Sequence, residues 1–272
     1  MYLYQDGKWV ERDKYDGLLR GEAIFETVRT WNGNIFALTM HYERLMESAH
    51  EVGISLPFNV DELRDILKEG MGKVPKSRNE EIRFRIILTL DVNPGVYIWA
   101  EPFSIPDYIH EEGVKVGISR YRRMPVESCP PKVKFLSRPD IILARKHKGD
   151  NYDVIMLNIH GCVAEGTFSN VFLVKSGALI TPDVDSGILP GITRKIVMDF
   201  ARELEIPVSE RKVEVRELFQ CDEIFLTHTS AGIVPVRRLE TRTLIEDSVG
   251  GITKILMDVM RKEIFSKDEY WE

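Results

Sequence analysis

Residues 188–194, ILPGITR, place a Pro-Gly turn directly before apolar residues at helical spacing. We therefore predict that a helix begins near Ile192 and Thr193 and presents unpaired backbone N–H groups at its start. Such a start attracts anions, because the unpaired amides and the helix dipole both point there. Most helix starts are only solvated or capped by a side chain, so this feature alone indicates no particular ligand.

Lys134, in the stretch PPKVKFLSRPD, lies between a proline-rich segment and a predicted helix that we expect Ser137 to cap. If this lysine lies in a cleft, burial lowers its basicity and makes it a nucleophile for Schiff-base chemistry. The alternative is a solvated surface lysine, which the neighbouring residues alone would favour.

Two further stretches place polar groups where a predicted strand ends. Glu165, in GCVAEGTFSN, precedes a glycine and small polar residues, and its carboxylate could hold a positive charge on a bound ring. Thr227, Thr229 and Ser230 follow the strand EIFL, where hydroxyls and amides can bind ligands in α/β folds. The alternatives are an exposed turn acid and a polar loop that bonds its own backbone.

The elements that would position these residues form two groups, and the first ends near residue 110. The pair Asn32-Gly33 predicts a hairpin turn, and Thr39 is the expected N-cap of the first helix. That helix has an apolar face of four residues: Leu45, Met46, Ala49 and Val52. The predicted elements are two strands around the Asp-Gly turn of MYLYQDGKWV, a hairpin in EAIFETVRTWNGNIFAL, helices in TMHYERLMESAHEVGI and VDELRDILKEGM, and strands in EIRFRIILTL and VYIWAEPF.

The second group begins with the strand VKVGISRYRR and continues through MPVESCPPKVK, whose three prolines predict an exposed connection. The following elements are a helix in RPDIILARKHK, strands in DVIMLN, SNVFLV and ALIT, the helix after ILPG, a strand in EIFLT and a C-terminal helix. We predict an α/β (α+β) protein with a smaller N-terminal domain, residues 1–118, and a larger C-terminal domain with a mixed sheet, residues 119–272.

Composition excludes several classes of protein. The chain has 272 residues, is 43% apolar and carries a net charge of −6, with no basic stripe that would favour nucleic acid. No apolar run is long enough to span a membrane, and MYLYQDGKWVERD lacks the apolar core of a signal peptide. Cys129, Cys162 and Cys221 have unrelated spacings, which predict reduced thiols in a cytoplasmic protein and no metal site.

Five stretches carry a resemblance that covers nearly the whole chain. They are IFETVRTWNGNIFALTMHYERLMESA, VKFLSRPDIILARK, VAEGTFSNVFLVKSGALITP, GILPGITR and DEIFLTHTSAGIVPV, in this order. Together they resemble the fold-type IV (class IV) aminotransferases, which depend on pyridoxal 5′-phosphate. This family includes branched-chain aminotransferases, D-amino acid aminotransferases and aminodeoxychorismate lyases. The resemblance implies a two-domain homodimer with its active site between the domains, near the dimer interface.

The resemblance also implies roles for the residues around the cofactor ring. Lys134 would form the Schiff base with the cofactor and then move the proton between the substrate Cα and the cofactor C4′. Glu165 would face the pyridine nitrogen, where a carboxylate favours the protonated ring and makes it a better electron sink. Leu189 would pack against one face of the ring.

For the cofactor phosphate, the resemblance implies the backbone amides of Ile192 and Thr193, the hydroxyl of Thr229 and the guanidinium of Arg44. Arg44 is placed by the helical pattern on the polar side of its helix, so the alternative is an ordinary surface arginine.

For the substrate, Phe25 resembles the aromatic residue that walls the side-chain pocket, and the amides near Thr229, Ser230 and Ala231 would receive the carboxylate. Arg85 resembles an arginine that meets a second carboxylate, such as that of 2-oxoglutarate. Arg83 lies on the same strand face, two residues away, so the two arginines could be exchanged.

The sequence defines the subgroup within this family less well. The stretch FLSRPD after Lys134, and Gly232 before IVPV, both differ from the sequence pattern of the branched-chain aminotransferases. FETVR and PGITR look more like the aminotransferases than the lyases. We predict transamination between an amino acid, branched-chain or otherwise hydrophobic, and a 2-oxo acid such as 2-oxoglutarate. The alternatives are a D-amino acid aminotransferase, a lyase that forms 4-aminobenzoate and pyruvate, and a non-enzymatic protein that binds a phosphate ligand.

Overall fold

The chain forms three sheets and six helices in the residues that the computed structural model describes, namely 2–5, 8–11, 20–75, 80–91, 93–263 and 270. The sheets have two, four and eight strands. This mixed architecture confirms the predicted α/β class. None of the helices in these ranges is long and apolar enough to cross a membrane.

The two smaller sheets belong to the N-terminal part of the chain. β1 (Tyr2–Gln5) pairs with β2 (Lys8–Glu11), as predicted, while the Asp6-Gly7 turn lies outside the described residues. The four-stranded sheet contains β3 (Ala23–Trp31), β4 (Asn34–Ile35), β5 (Glu81–Thr89) and β6 (Val96–Phe103). Its strands have the antiparallel order β4-β3-β5-β6, and Asn32 and Gly33 take φ values of 49° and 80° in its hairpin.

Helices α1 (Leu38–Glu51) and α2 (Val60–Lys73) pack apolar side chains against this sheet. The predicted N-cap of α1 is wrong: Ala37 holds that position with φ 52°, and the helix already includes Thr39. The apolar face is also wrong at Met46, which is 47% exposed. The helix instead buries Arg44 beside Leu45, because a second stripe of α1 faces the interior.

The eight-stranded sheet confirms the predicted mixed pairing. The strands are β7 (Val114–Arg122), β8 (Asp153–Leu157), β9 (Asn170–Lys175), β10 (Ala178–Pro182), β11 (Val208–Arg211), β12 (Glu223–His228), β13 (Gly232–Leu239) and β14 (Arg242–Thr243). Their order is β11-β10-β9-β12-β13-β7-β8, and β14 pairs with β13. The pairs β10/β11, β13/β7 and β7/β8 are parallel and the others are antiparallel.

Four helices accompany this sheet: α3 (Tyr108–Glu111), α4 (Pro139–Lys146), α5 (Ile192–Glu203) and α6 (Gly251–Glu263). One apolar core lies between the sheet, α5 and α6, and a second covers the other face. The predicted Ser137 cap of α4 is wrong, because the helix starts at Pro139 after Arg138 and has no side-chain cap. A proline at this position already removes one unpaired N–H group.

The connection at residues 124–134 is not exposed as predicted. Cys129 and Val133 are buried, and backbone hydrogen bonds join Phe25 N to Lys134 O and Leu136 N to Ala23 O. The segment therefore lies along β3 and carries Lys134 to the four-stranded sheet. The division at residues 118/119 stays a prediction; it falls inside β7, which pairs within the larger sheet.

Candidate active site

A cavity of about 510 Å³ lies where the four-stranded sheet, α4 and the loops at the ends of the larger sheet meet. Seven of the predicted site residues line it: Phe25, Arg85, Lys134, Glu165, Leu189, Thr229 and Ser230. The remaining predicted residues, Arg44, Ile192, Thr193 and Ala231, do not line this cavity directly. The fold therefore brings together residues from stretches that are far apart in the sequence.

Lys134 presents an amine with reduced basicity to this cavity. Its Nζ lies 4.9 Å from the centroid of the Phe25 ring. Burial lowers the pKa of Lys134 to about 8, Arg44 lowers it further, and Glu26 and Glu165 oppose the shift. More of the amine is therefore neutral near pH 7 than for a solvated lysine, as a nucleophile requires.

Glu165 is buried and held in one orientation by three donors. Arg123 Nη2 lies 2.7 Å from its Oε1, while Leu189 N and Asn170 Nδ2 donate to its Oε2 at 3.0 and 3.1 Å. Burial raises the pKa of Glu165, and Arg123 opposes that effect. The carboxylate is thus placed to share a proton with a cationic ring nitrogen in the cavity.

Arg123 is a residue that sequence reasoning missed. Its guanidinium is fully buried and also pairs with Asp140, at 2.9 Å, and with the Gly187 carbonyl. In the sequence it follows Arg122 at the end of a strand, where two adjacent arginines are typical of a solvated edge. No spacing signal distinguishes the buried arginine from its exposed neighbour.

The start of α5 has the features of an anion site. Gly191 precedes the helix without a side-chain cap, and a Cβ there would lie 2.0 Å from Asn170 Oδ1. Arg44 Nη1 donates to Pro190 O at 3.0 Å, which brings the guanidinium beside this helix start. Thr193 and Ile192 are buried in the first turn. Amides at an uncapped helix start and a neighbouring guanidinium suit a phosphate.

Arg44 is not the surface arginine of the alternative interpretation. Its Nε and Nη2 donate to Glu26 at 2.7 and 2.8 Å, and His41 Nδ1 lies 2.8 Å from the same carboxylate. Burial opposes ionisation of Glu26, but Arg44 and His41 outweigh it and lower the pKa. Three of the five guanidinium N–H groups are engaged, which leaves two for an anion. Sequence reasoning missed Glu26 and His41.

Both candidate substrate arginines line the cavity. The Arg85 guanidinium lies 5.1 Å from the Phe25 ring centroid, and no carboxylate of the described residues lies within ion-pair distance of it. Arg83 also lines the cavity, but it pairs with Glu101 at 2.5 Å. Arg85 is therefore the more available of the two for a substrate carboxylate.

The loop after β12 is held from the side opposite the cavity. Arg29 Nη1 donates to Ser230 O, and His110 Nε2 lies 2.8 Å from Ala231 O. Ala231 is buried and lines a second cavity instead of the first. Gly232 follows with φ 69°, and a Cβ there would lie 3.3 Å from Met260 Cε, which accounts for glycine at this position.

Tyr152 and His228 form another pair that sequence reasoning missed. They lie 76 residues apart, line the main cavity, and join through a 2.8 Å contact between Tyr152 Oη and His228 Nε2. Burial, reinforced by His110 and Arg29, lowers the pKa of His228 to about 3. The imidazole is therefore neutral, its Nε2 can accept a hydrogen bond from the Tyr152 hydroxyl, and Phe168 packs against both rings.

Comparison with known proteins adds one family match and three similar proteins. The family model described as amino-transferase class IV matches residues 23–239. The chain is 44% identical to a "probable branched-chain-amino-acid aminotransferase" of Thermotoga maritima, over 100% of this chain and 99% of that protein. It is 29% identical to a D-alanine aminotransferase of Staphylococcus aureus, over 92% and 91%. The crystal structure of the Thermoproteus uzoniensis branched-chain aminotransferase with norvaline has a TM-score of 0.81 and 30% identity, over 99% and 96%.

Proposed function

This chain belongs to the class IV aminotransferase family, and we propose that it moves an amino group from a branched-chain or other hydrophobic amino acid to a 2-oxo acid such as 2-oxoglutarate. Enzymes of this family use pyridoxal 5′-phosphate. One observation carries the proposal: the Lys134 amine and the Glu165 carboxylate line the same cavity, and Asn170 contacts both Glu165 and the backbone just before α5.

The residues of the cavity fit this cofactor. Lys134 supplies an amine of lowered pKa, and Glu165 supplies a fixed carboxylate for the ring nitrogen. Arg44 retains two N–H groups for the phosphate beside the uncapped start of α5, where Ile192 and Thr193 supply amides. When bound, the cofactor supplies an electron sink for the carbanion formed at the substrate Cα.

Lys134 has two tasks in this proposal. Its Nζ would hold the cofactor covalently, and when free the same atom would take the proton from the substrate Cα and later return one. Glu165 would keep a proton on the ring nitrogen, and Arg123 fixes the direction of that carboxylate. Leu189 donates its backbone N–H to Glu165 and would pack against the ring.

The substrate is oriented by groups around the cavity. We assign the amides near Thr229, Ser230 and Ala231 to its carboxylate and Phe25 to the wall of its side-chain pocket. Arg85 would bind the second carboxylate of 2-oxoglutarate, because its guanidinium faces the cavity without an acidic partner. A hydrophobic amino acid would place its side chain near the same site when it replaces the dicarboxylate.

We also propose a cytoplasmic homodimer. The three cysteines are all free thiols, which supports a reducing compartment. The homodimer rests on the resemblance to class IV aminotransferases, whose family model matches residues 23–239. Sedimentation velocity of the purified protein tests the assembly, since a monomer would contradict it.

D-amino acid transamination is the second candidate, because a D-alanine aminotransferase is 29% identical over most of the chain. The test is a visible spectrum of the cofactor-loaded enzyme during titration with L-leucine, and then with D-alanine, without a 2-oxo acid. We expect L-leucine to remove the yellow band of the lysine-bound cofactor. A response to D-alanine alone would favour the second candidate, and a colourless protein after incubation with the cofactor would contradict both.

A further inference from the structure

A second cavity, of about 350 Å³, lies behind the loop that follows β12. Ala231 lines this cavity, while the preceding Ser230 lines the first, and Ile105 contacts both. Its walls come from β3, the segment after β6, α3 and α6. The two cavities therefore share one thin wall, which carries the backbone assigned above to the substrate carboxylate.

A buried cation without an acidic partner lines the second cavity. Arg29 is only 7% exposed, and no carboxylate of the described residues lies within 4.0 Å of its guanidinium. Its Nε donates to Thr30 O at 2.7 Å and its Nη1 to Ser230 O, which leaves Nη2 without a hydrogen bond. Rings of Trp31 and Phe103 lie 4.6 and 4.7 Å from the guanidinium. Burial lowers the pKa of Arg29 to about 10 and Glu81, which is not in contact with it, only partly opposes that effect, so the guanidinium can gain from an anion bound directly to Nη2.

The lining of the cavity has two arginines, one acid and an otherwise largely apolar surface. Arg261 contributes the second cation, whereas burial lowers the pKa of His110 and keeps its imidazole neutral. The acid among the lining residues is Glu81, and both of its oxygens already accept hydrogen bonds from the hairpin, from Asn32 N at 2.6 Å and Thr30 Oγ1 at 2.5 Å. The apolar side chains are Trp31, Phe103, Ile105, Ala231, Ile233, Met257 and Met260.

We propose that this cavity is a second ligand site that binds a small aliphatic carboxylate, with its carboxylate on Arg29 and its chain against the methionines of α6. This chemistry is that of the amino and 2-oxo acids proposed as substrates. The bound carboxylate would compete with Ser230 O for the Arg29 guanidinium. Release of that carbonyl loosens the loop, so occupancy of the second site weakens substrate binding, and by linkage the reverse also holds.

The site itself stands on Arg29 and its cavity, while its coupling to catalysis rests on the proposed function of the loop. The test uses the cofactor-loaded enzyme and 4-methylpentanoate, which has the chain and carboxylate of leucine but no amino or oxo group to react. Calorimetric titration gives the number of molecules bound per chain. We expect two, one in each cavity.

Two variants remove or weaken the second site without touching the first. Met260→Trp fills the cavity, with Ile255→Trp on the exposed side of the same helix as its control. Arg261→Gln removes one cation, with the neighbouring Lys262→Gln as its control. We expect Met260→Trp to bind one molecule per chain and Arg261→Gln to weaken the second site several-fold, while both controls bind two. If Met260→Trp does not retain the cofactor band, binding of 4-methylpentanoate to Arg261→Gln and to its control Lys262→Gln tests the second site instead.

Steady-state kinetics gives an independent readout. With two negatively coupled sites, the KM for L-leucine rises with 4-methylpentanoate along a curve that bends downward, because second-site binding weakens leucine and the first-site inhibitor alike. Met260→Trp makes the dependence linear. A single molecule bound to the wild type, or a second one that both Met260→Trp and Arg261→Gln retain, would overturn the proposal. Those results leave the cofactor band and turnover intact, whereas failure of the proposed function would remove one or both.

Discussion

Two groups of residues lie in or beside the main cavity, and they differ in how their charged side chains are held. In the cofactor group (Lys134, Glu165 and Arg44), Glu165 is fixed by Arg123 and Arg44 is fixed by Glu26, all within the protein interior. In the substrate group (Arg83, Arg85 and Phe25), Arg85 is exposed and Arg83 pairs only with a half-exposed glutamate. The first group is preorganised at a cost in desolvation, while the second remains free to pair with a ligand.

This difference suits the two kinds of ligand that the proposed reaction requires. The cofactor is the same in every catalytic cycle, so buried side chains that are already fixed by ion pairs can bind it. Substrates that alternate between a hydrophobic amino acid and a dicarboxylate require a surface that accepts both. A cation that is not already paired within the protein serves that purpose, because it can exchange water for carboxylate.

The largest effect is expected at Lys134. Lys134→Ala removes the nucleophile and the base together, so turnover should fall by about 10³-fold or more. The exposed Lys132, which pairs with Glu51, provides the control, and Lys132→Ala should keep full activity. Stopped-flow measurement of the first half-reaction checks this. Near-normal turnover of Lys134→Ala would mean that another residue is the nucleophile.

Arg123→Met should be the most destabilising change in the cofactor group. It leaves Glu165 and Asp140 buried without their main counterion, which costs about 3–5 kcal/mol. Arg122→Met at the exposed neighbour should change the free energy of unfolding very little. Urea denaturation of both variants without cofactor measures the difference. Equal stabilities would mean that the buried network contributes nothing.

Gly191→Ala should weaken cofactor binding about tenfold, because overpacking costs about 1–3 kcal/mol and the new Cβ would lie 2.0 Å from Asn170 Oδ1. Gly72→Ala, where a Cβ meets nothing within 4 Å, is the matched control in α2. Equilibrium titration of the apoenzyme with pyridoxal phosphate gives both dissociation constants. Unchanged affinity in Gly191→Ala would mean that the start of α5 does not bind the cofactor phosphate.

Arg85→Gln should act on one substrate alone. A charge-assisted hydrogen bond contributes about 1.5–3 kcal/mol, so the KM for 2-oxoglutarate should rise about tenfold or more. The KM for 4-methyl-2-oxopentanoate, which has one carboxylate, should stay within twofold, roughly the effect of a surface substitution. Arg83→Gln serves as the comparison, since Arg83 already pairs with Glu101. If Arg83→Gln raises the KM for 2-oxoglutarate more than Arg85→Gln does, Arg83 is the arginine that binds the second carboxylate.

The pH dependence of cofactor attachment is expected to show the smallest effect. The neutral amine is the nucleophile, and the pKa of Lys134 is lowered to about 8. The attachment rate of pyridoxal phosphate to the apoenzyme should therefore rise about tenfold per pH unit below 8 and level off above it. A rate that continues to rise to pH 10 would mean that Lys134 titrates like a solvated lysine.

Local features of the fold could be predicted from short stretches of sequence. Asn32-Gly33 supplies the positive φ values of a tight hairpin, and ILPGITR places the start of α5 at Ile192. Two helix caps were wrong, at Thr39 and Ser137, because the chain can enter a helix through Ala37 or Pro139 without a side-chain cap. Capping propensity is a local preference that the path of the preceding chain overrides.

The sequence by itself determined the family, the order of elements and the candidate residues Lys134, Glu165 and Arg44. Motif order and hydrophobic periodicity are properties of contiguous stretches, so they can be observed without the fold. Tertiary structure alone decided their partners: Arg123 for Glu165, Glu26 for Arg44 and the pairing of Tyr152 with His228. These contacts join strands and loops that are far apart in sequence. A pairing between distant residues leaves no local spacing signal, since it depends on sheet order and on which side chains lose their water.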